Sequence, residues 1–324
     1  MKFIKTNDSH SHMKYLVIIL MFIVLSCSHK VVEVITIKAE KDLIPEGIAV
    51  TKHDIYISSI HKNKIVKYST KHSTLTNFIE SDNFNFKSGV GLAIKNDTLY
   101  ALTNDLFSYP NVSSLFLFDV KTSLLLKKYQ FKDVESHFFN DLTIDNQRQI
   151  YVTDSKQHKI YKFSLLSEKF DEFFIDKSMS YPNGITISDD SKTLFLASAL
   201  SGLLILNISD KNLVYESSTE TRGIDGMKYH KNAIYAIQNS GNNSSKHGLI
   251  KINLSDNNLK INSVQTILMG HPLMNIPTTL DIYKNYIYFI ANSQMDNFDQ
   301  KQNAIINRDG LKSTYILKLK LTKS

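Results

Sequence analysis

One supersecondary unit, written six times along the chain, constrains the fold more than any other feature. Six stretches align on a shared apolar frame: EGIAVTKHDIYISS from Glu46, VGLAIKNDTLYALT from Val90, NDLTIDNQRQIYVTD from Asn140, NGITISDDSKTLFLAS from Asn183, DGMKYHKNAIYAIQ from Asp225 and TTLDIYKNYIYFIA from Thr278. Successive copies begin 44, 50, 43, 42 and 53 residues apart, a period typical of repeat architectures. Each copy reads as a strand, a polar turn and a second strand that opens on Ile or Leu followed by Tyr or Phe.

A third strand follows in every unit: KIVKYS from Lys64, SLFLFDV from Ser114, KIYKFSL from Lys159, LLILNI from Leu203, LIKINL from Leu249 and YILKLKL from Tyr315. Fourth strands follow the first five, as in TLTNFIE from Thr74 and KFDEFFI from Lys169. The sixth unit reaches Ser324 without one, while VVEVITI from Val31 precedes unit one without a hairpin partner. Pairing that orphan with the last unit closes a ring. The expected fold is all-β: a six-bladed β-propeller of four antiparallel strands per blade, occupying residues 28–324 as one domain and closed by the N-terminal strand. A parallel β-helix needs shorter repeats, and a WD-type propeller needs tryptophans, of which there are none.

In such a ring the innermost strand of each blade starts at one mouth of the central channel, so the repeat heads converge on the axis. The heads are Glu46, Val90, Asn140, Asn183, Asp225 and Thr278. Two carboxylates and two carboxamides facing one another across a narrow channel are costly unless something compensates them. A divalent cation does so, and an all-oxygen donor set favours Ca²⁺ over Zn²⁺.

The segments Pro45-Glu46-Gly47, Phe139-Asn140-Asp141, Pro182-Asn183-Gly184 and Ile224-Asp225-Gly226 resemble the motifs of the senescence marker protein 30 and gluconolactonase family, with paraoxonases and diisopropylfluorophosphatase as more distant relatives. The resemblance runs over nearly all of the chain after the N-terminal segment. It implies that Glu46, Asn140, Asn183 and Asp225 hold a divalent metal on the axis, usually calcium and sometimes zinc or another divalent ion. It further implies hydrolysis of a lactone or related ester, with Asp225 as ligand and as general base or nucleophile. Asp141 stands where a paraoxonase acid serves a second, structural calcium; capping a backbone turn is the competing role.

Two departures matter. Phe138 occupies the position where gluconolactonase-type members carry a sugar-acid-binding arginine, so a polyhydroxylated sugar lactone is not the expected substrate. Thr103-Asn104-Asp105 stands where paraoxonases carry a catalytic histidine, so a paraoxonase mechanism is not expected either. Loops before the heads and turns after the second strands should form the mouth. They offer Asp105, His137, Phe138, Asp154, Tyr181, Arg222, His271 and Asn292 as substrate-lining candidates, each with an ordinary alternative as a solvated or turn-bonded residue. Arg222, three residues before Asp225, is the preferred anion-holding candidate among them.

The ends set the compartment. Residues 15–25, YLVIILMFIVL, form an apolar run too short to span a bilayer and of signal-peptide length. The run ends at Val24-Leu25-Ser26-Cys27, which resembles a bacterial lipobox, and Cys27 is the only cysteine. The expectation is a signal peptide over residues 1–27 and lipidation at Cys27, giving a protein of the cell envelope that touches the membrane only through that anchor. One cysteine provides no disulfide framework, so the domain must be held by its core, for which 42% hydrophobic residues suffice. The formal charge of +7 comes from lysines interleaved with acids, and nucleic-acid binding is not expected. Two functions remain open: a hydrolase of a small lactone or ester, and a non-catalytic envelope propeller that binds a ligand or partner, with calcium as a structural pin.

Overall fold

The computed structural model describes residues 31–215, 218–239 and 243–321. Residues 15–25 and Cys27 lie outside them. Among the described residues no helix is long and apolar enough to cross a membrane, and the only helical segments are short 3₁₀ turns.

The repeats fold as six four-stranded antiparallel sheets, the blades of a propeller. In blade 1 the strands are Pro45–Val50, Asp54–Ser59, Lys64–Ser69 and Thr74–Ile79, and blades 2 to 5 follow with inner strands Ser88–Lys95, Phe139–Ile144, Ile185–Ile187 and Ile224–His230. Blade 6 is composite. Its inner strands Leu280–Tyr283 and Tyr286–Ile290 and third strand Thr314–Lys320 receive Val32–Ile37 at the outer edge, paired from Val32 with Leu319 to Ile37 with Thr314. The ring is therefore closed by chain ends from opposite termini, as expected for the unpartnered N-terminal strand.

The core lies between the blades, because each sheet is apolar on both faces. Six apolar clusters fill the six interfaces, for example Tyr56, Phe78, Phe86, Leu99 and Phe116 between blades 1 and 2, and Ile48, Ile57, Val66, Ile290 and Ile316 between blades 6 and 1. The aromatic residues of the second strands are part of this packing: Tyr56, Tyr151 and Phe195 are buried. Antiparallel pairs of such residues stabilise sheets by their cross-strand contacts.

The inner strands leave one backbone edge unpaired towards the channel, and a buried N–H without a partner is expensive. Side chains of adjacent blades supply the partners. Asp281 Oδ2 accepts from Val50 N at 2.8 Å, Asp141 Oδ2 from Ile185 N at 3.3 Å, and Thr186 Oγ1 from Tyr229 N at 2.9 Å. Near the mouth, Ser58 donates to Val90 O, Asn104 to Phe139 O, Thr153 to Asn183 O, and Thr278 and Thr279 to Glu46 O.

One element has no counterpart in the repeat. Residues 291–313 leave blade 6 between its second and third strands and form a strap containing a small hairpin, Phe298–Asp299 with Ala304–Ile305. The strap reaches blade 1. Phe298 is buried with Ile44 and Ile60 and lies 5.4 Å from the His61 ring. Asn303 Oδ1 is 3.1 Å from His61 Nδ1, Arg308 pairs with Asp42 at 3.5 Å, and Gln294 Nε2 donates to Lys41 O. Phe298→Leu should lower stability by about 1 to 2 kcal/mol, as reshaping a packed site does. Thermal unfolding reads this directly, and an unchanged midpoint would mean that the strap is not anchored there.

Candidate functional site

The polar repeat heads come together at one end of the channel. Each inner strand of blades 1, 2, 3 and 5 breaks register at its head: between Pro45 and Ile48, Gly89 and Leu92, Phe139 and Leu142, and Ile224 and Met227. A bulge leaves one residue out of the ladder and re-aims its side chain. That is how Glu46, Asn140 and Asp225 leave the alternation of their strands, whereas Asn183 stands just before its short strand. Before three of the heads the backbone is strained. Ile44, Tyr181 and Ile276 have φ of 46°, 45° and 47°, each followed by proline, at Pro45, Pro182 and Pro277. Left-handed backbone at β-branched Ile44 and Ile276 costs on the order of 1 to 3 kcal/mol each and persists only where the surroundings enforce it.

Glycines beside the heads permit their approach. A Cβ on Gly47 would lie 2.1 Å from Val90 O, and one on Gly184 would lie 2.2 Å from Asp225 O. Neighbouring heads are thus in backbone contact.

The side chains at this junction are short of partners. Glu46 Oε2, Asn183 Oδ1 and Asp225 Oδ1 are buried, and among the described residues none of the three has a hydrogen-bond partner. Asn140 differs in that its Nδ2 donates to Ser155 Oγ at 3.0 Å, and Ser155 donates on to Pro182 O. Asp225 is held through its other oxygen, which accepts from Asn239 Nδ2 at 2.6 Å. Burial, with the charges of Asp225 and Asp141, pushes the Glu46 carboxyl well above the usual range. Burial and Asp141 push Asp225 up to about 7, against the opposing amides of Asn183 and Asn239. Asp225, far from Glu46 in sequence, is thus among the charges that disfavour ionisation of Glu46.

Among the described residues no group of three or more His, Cys, Asp or Glu side chains is placed to hold a metal ion. The junction is instead a mixed set of two carboxylates and two carboxamides. Three orphaned oxygens in that set fit a hard divalent cation, which would complete their bonding and neutralise both acids.

The remaining candidates separate into groups. Asp141 is engaged by the backbone: its oxygens accept from Leu142 N at 2.8 Å and from Ile185 N at 3.3 Å. Burial raises its carboxyl, and Lys228 and these two N–H groups oppose the rise. These bonds tie blade 3 to blade 4, the backbone role that competes with that of a second metal ligand.

His137 and Asp154 do not line the mouth. Both are fully buried, and His137 sits between two carboxylates, with Nδ1 at 2.5 Å from Asp154 Oδ2 and Nε2 at 2.8 Å from Asp133 Oδ1. Burial disfavours the imidazolium, but the hydrogen bonds and charges of Asp154 and Asp133 outweigh it and raise His137 above its ordinary value. Asp154 Oδ1 also accepts from the backbone N–H of Phe138, Lys156 and Gln157. Phe138 packs against the apolar cluster of blades 2 and 3. His271 Nδ1 accepts from Leu273 N in a local turn, and Asn292 is buried, bonded to Tyr315 N and Ser313 O.

Three candidates do reach the surface of the mouth. Asp105 lines a cavity of about 410 Å³ with Lys87, Phe107 and, from the strap, Asn303. Tyr181 is exposed, its ring 4.5 Å from that of His158. Arg222 is exposed and lines a cavity of about 650 Å³ beside the head of blade 5. Sequence reasoning missed Asn239, which holds Asp225, and the strap residue Asn303. The only signal for the strap was the long interval between the second and third strands of unit six.

Comparison with solved structures agrees with this architecture. The major allergen Mala s 1 of Malassezia sympodialis superposes with a TM-score of 0.66 at 17% identity, covering 90% of this chain and 96% of the allergen. Regucalcin of Agrobacterium tumefaciens, described as a calcium-binding protein, gives 0.61 at 14% identity over 89% and 95%. A gluconolactonase of Xanthomonas campestris gives 0.59 at 11% identity over 89% and 90%. This chain shares their fold. No family model matches it, and no curated protein matches it in sequence. The likeness to these structures shows the six-bladed propeller fold alone, and chemistry has to be argued from the site.

Proposed function

We propose that the protein is a divalent-metal-dependent hydrolase of the lactonase type, acting on a small lactone or ester at the mouth of the propeller. The observation that carries this reading is the trio of buried oxygens on Glu46, Asn183 and Asp225 that have no partner among the described residues. Glu46, Asn140, Asn183 and Asp225 would hold the metal, with Ca²⁺ favoured by the all-oxygen donors and Zn²⁺ or another divalent ion as the alternative. Bound there, the cation supplies Lewis acidity towards the substrate carbonyl.

The chain's own part is positional and basic. Asn239 pins one oxygen of Asp225 and leaves Oδ1 directed into the junction. Besides holding the metal, the Asp225 carboxylate would take a proton from an attacking water. The water oxygen bonds to the carbonyl carbon, the acyl–oxygen bond breaks, and the proton passes to the departing alkoxide. Phe138, packed against the apolar cluster of blades 2 and 3, offers no cationic group for a sugar acid. Lipidation at Cys27 would place the enzyme in the bacterial cell envelope, anchored by lipid alone.

The test is metal content and turnover of a lactone and ester panel, before and after chelation, beside Asp225→Asn. About one bound divalent ion per chain is expected, with activity lost on chelation and restored by Ca²⁺. The variant should lose 10²-fold or more, the range for removing a general base. Metal bound at this stoichiometry without turnover of any panel member would favour the non-catalytic propeller with calcium as a pin. Failure to bind any divalent ion would end both metal readings.

A further inference from the structure

The cavity beside blade 5 is built differently from the rest of the mouth. At about 650 Å³ it has the size of a small-molecule pocket. Its rim carries Arg222 and Lys246 with one acid, Glu220, and among the described residues no carboxylate forms an ion pair with either cation. Its floor is apolar, made by Ile250, Val264 and Met269. Met269 is 40% exposed, so open apolar surface shares the cavity with the two cations.

The rim is held in place. Gln238 Nε2 donates to both Glu220 O and Arg222 O at 2.8 Å, which fixes the backbone that presents Arg222. The wall nearest the axis is the pair Gly223 and Asn239, with Asn239 N donating to Gly223 O at 2.9 Å. Gly223 has φ of 71°, and a Cβ there would lie 2.7 Å from Asn239 O, so the wall is as thin as a backbone allows. On its far side the same Asn239 donates to Asp225 Oδ2. A ligand in the cavity therefore touches the residue that positions Asp225.

We propose that this cavity is a subsite for a carboxylate-bearing small molecule with an aliphatic or aromatic body, and that it receives the anionic arm of the substrate whose carbonyl sits at the axial junction. The cations match a carboxylate, with Arg222 able to bind it through two parallel N–H groups. The apolar floor selects an organic acid over an inorganic anion, and the shared Asn239 joins the two halves. The assignment of the arm rests on the hydrolase reading above; the ligand class of the cavity does not.

Binding is tested with three probes on the full chain: phenylacetate, its neutral isostere 2-phenylethanol, and inorganic phosphate. Phenylacetate should bind at least tenfold more tightly than either of the others. That preference should vanish in Arg222→Ala/Lys246→Ala, whose exposed positions leave the melting temperature unchanged. Equal binding of phosphate, or phenylacetate binding unaltered in the double variant, overturns the subsite. The arm is tested with matched esters differing by one distal carboxylate: the acidic ester should show about a tenfold lower KM, lost in the double variant, with the neutral ester unaffected. Arg222-dependent phenylacetate binding with neither ester cleaved supports the subsite and removes the hydrolase reading. Cleavage of both esters without preference, and no phenylacetate binding, removes the subsite and leaves the hydrolase reading standing.

Discussion

Glu46→Gln is expected to make the metal-free protein more stable and the calcium-loaded protein less stable. The reason is the same in both states. Without a cation, Glu46 and Asp225 share one buried junction, and burial together with the Asp225 and Asp141 charges disfavours ionisation of Glu46. An amide of the same shape carries no charge to bury, so the variant should gain about 2 kcal/mol, in the range for relieving an uncompensated buried group. With a cation present, the wild type gains from mass action, about 2.7 kcal/mol at a hundredfold excess over Kd. For a domain of this size that corresponds to a rise of about 4 °C. Glu46→Gln forfeits most of this gain because it removes one of two charged donors. Calcium titrations followed by thermal unfolding give both signs in one experiment. A variant less stable than wild type in chelator, or one retaining the full calcium shift, would show that Glu46 is not an axial ligand.

His137→Phe should cost about 3 to 5 kcal/mol, because it leaves the fully buried Asp154 without its cation while the ring volume is kept. The loss should depend on pH in a defined direction. His137 is raised above its ordinary 6.5, so its contribution is complete below that value and is lost as pH rises through the folded pKa. Asp133 is lowered from 3.8: burial alone would raise it, but the His137 hydrogen bond and charge and the Glu135 N–H prevail. Its contribution is complete above 3.8 and is lost as pH falls through the lower folded value. The gap between wild type and variant should therefore be widest between about pH 4 and 6.5 and narrow at alkaline pH. Denaturant unfolding at several pH values measures it. A gap that is flat or widens from pH 6 to 9 would mean that the imidazole is neutral in the native state.

Particular residues show why part of this was legible beforehand. Glu46, Asn140, Asn183 and Asp225 stand out because the repeat itself aligns them, carboxylates or carboxamides at the head of four of the six units. His137 and Asp154 carried the same kind of signal and meant something else. Both are polar residues in mouth segments, but Asp154 turns inward onto three backbone N–H groups and the imidazole. Asp141 was ambiguous for a similar reason, since a carboxylate that ties two inner edges and one that binds a cation look identical in sequence. Asn239 could not be singled out, because its importance is a 2.6 Å contact with Asp225 across the turn between two blade-5 elements.

The sequence by itself determined the six blades, the closing N-terminal strand and the set of polar heads, because strand alternation and repeat spacing are local properties written once per unit. Only the tertiary structure decided which polar side chains have partners, that residues 291–313 strap blade 6 to blade 1, and that Arg222 and Lys246 share one cavity. Those outcomes depend on which blade lies beside which loop in space, and burial converts that proximity into energy.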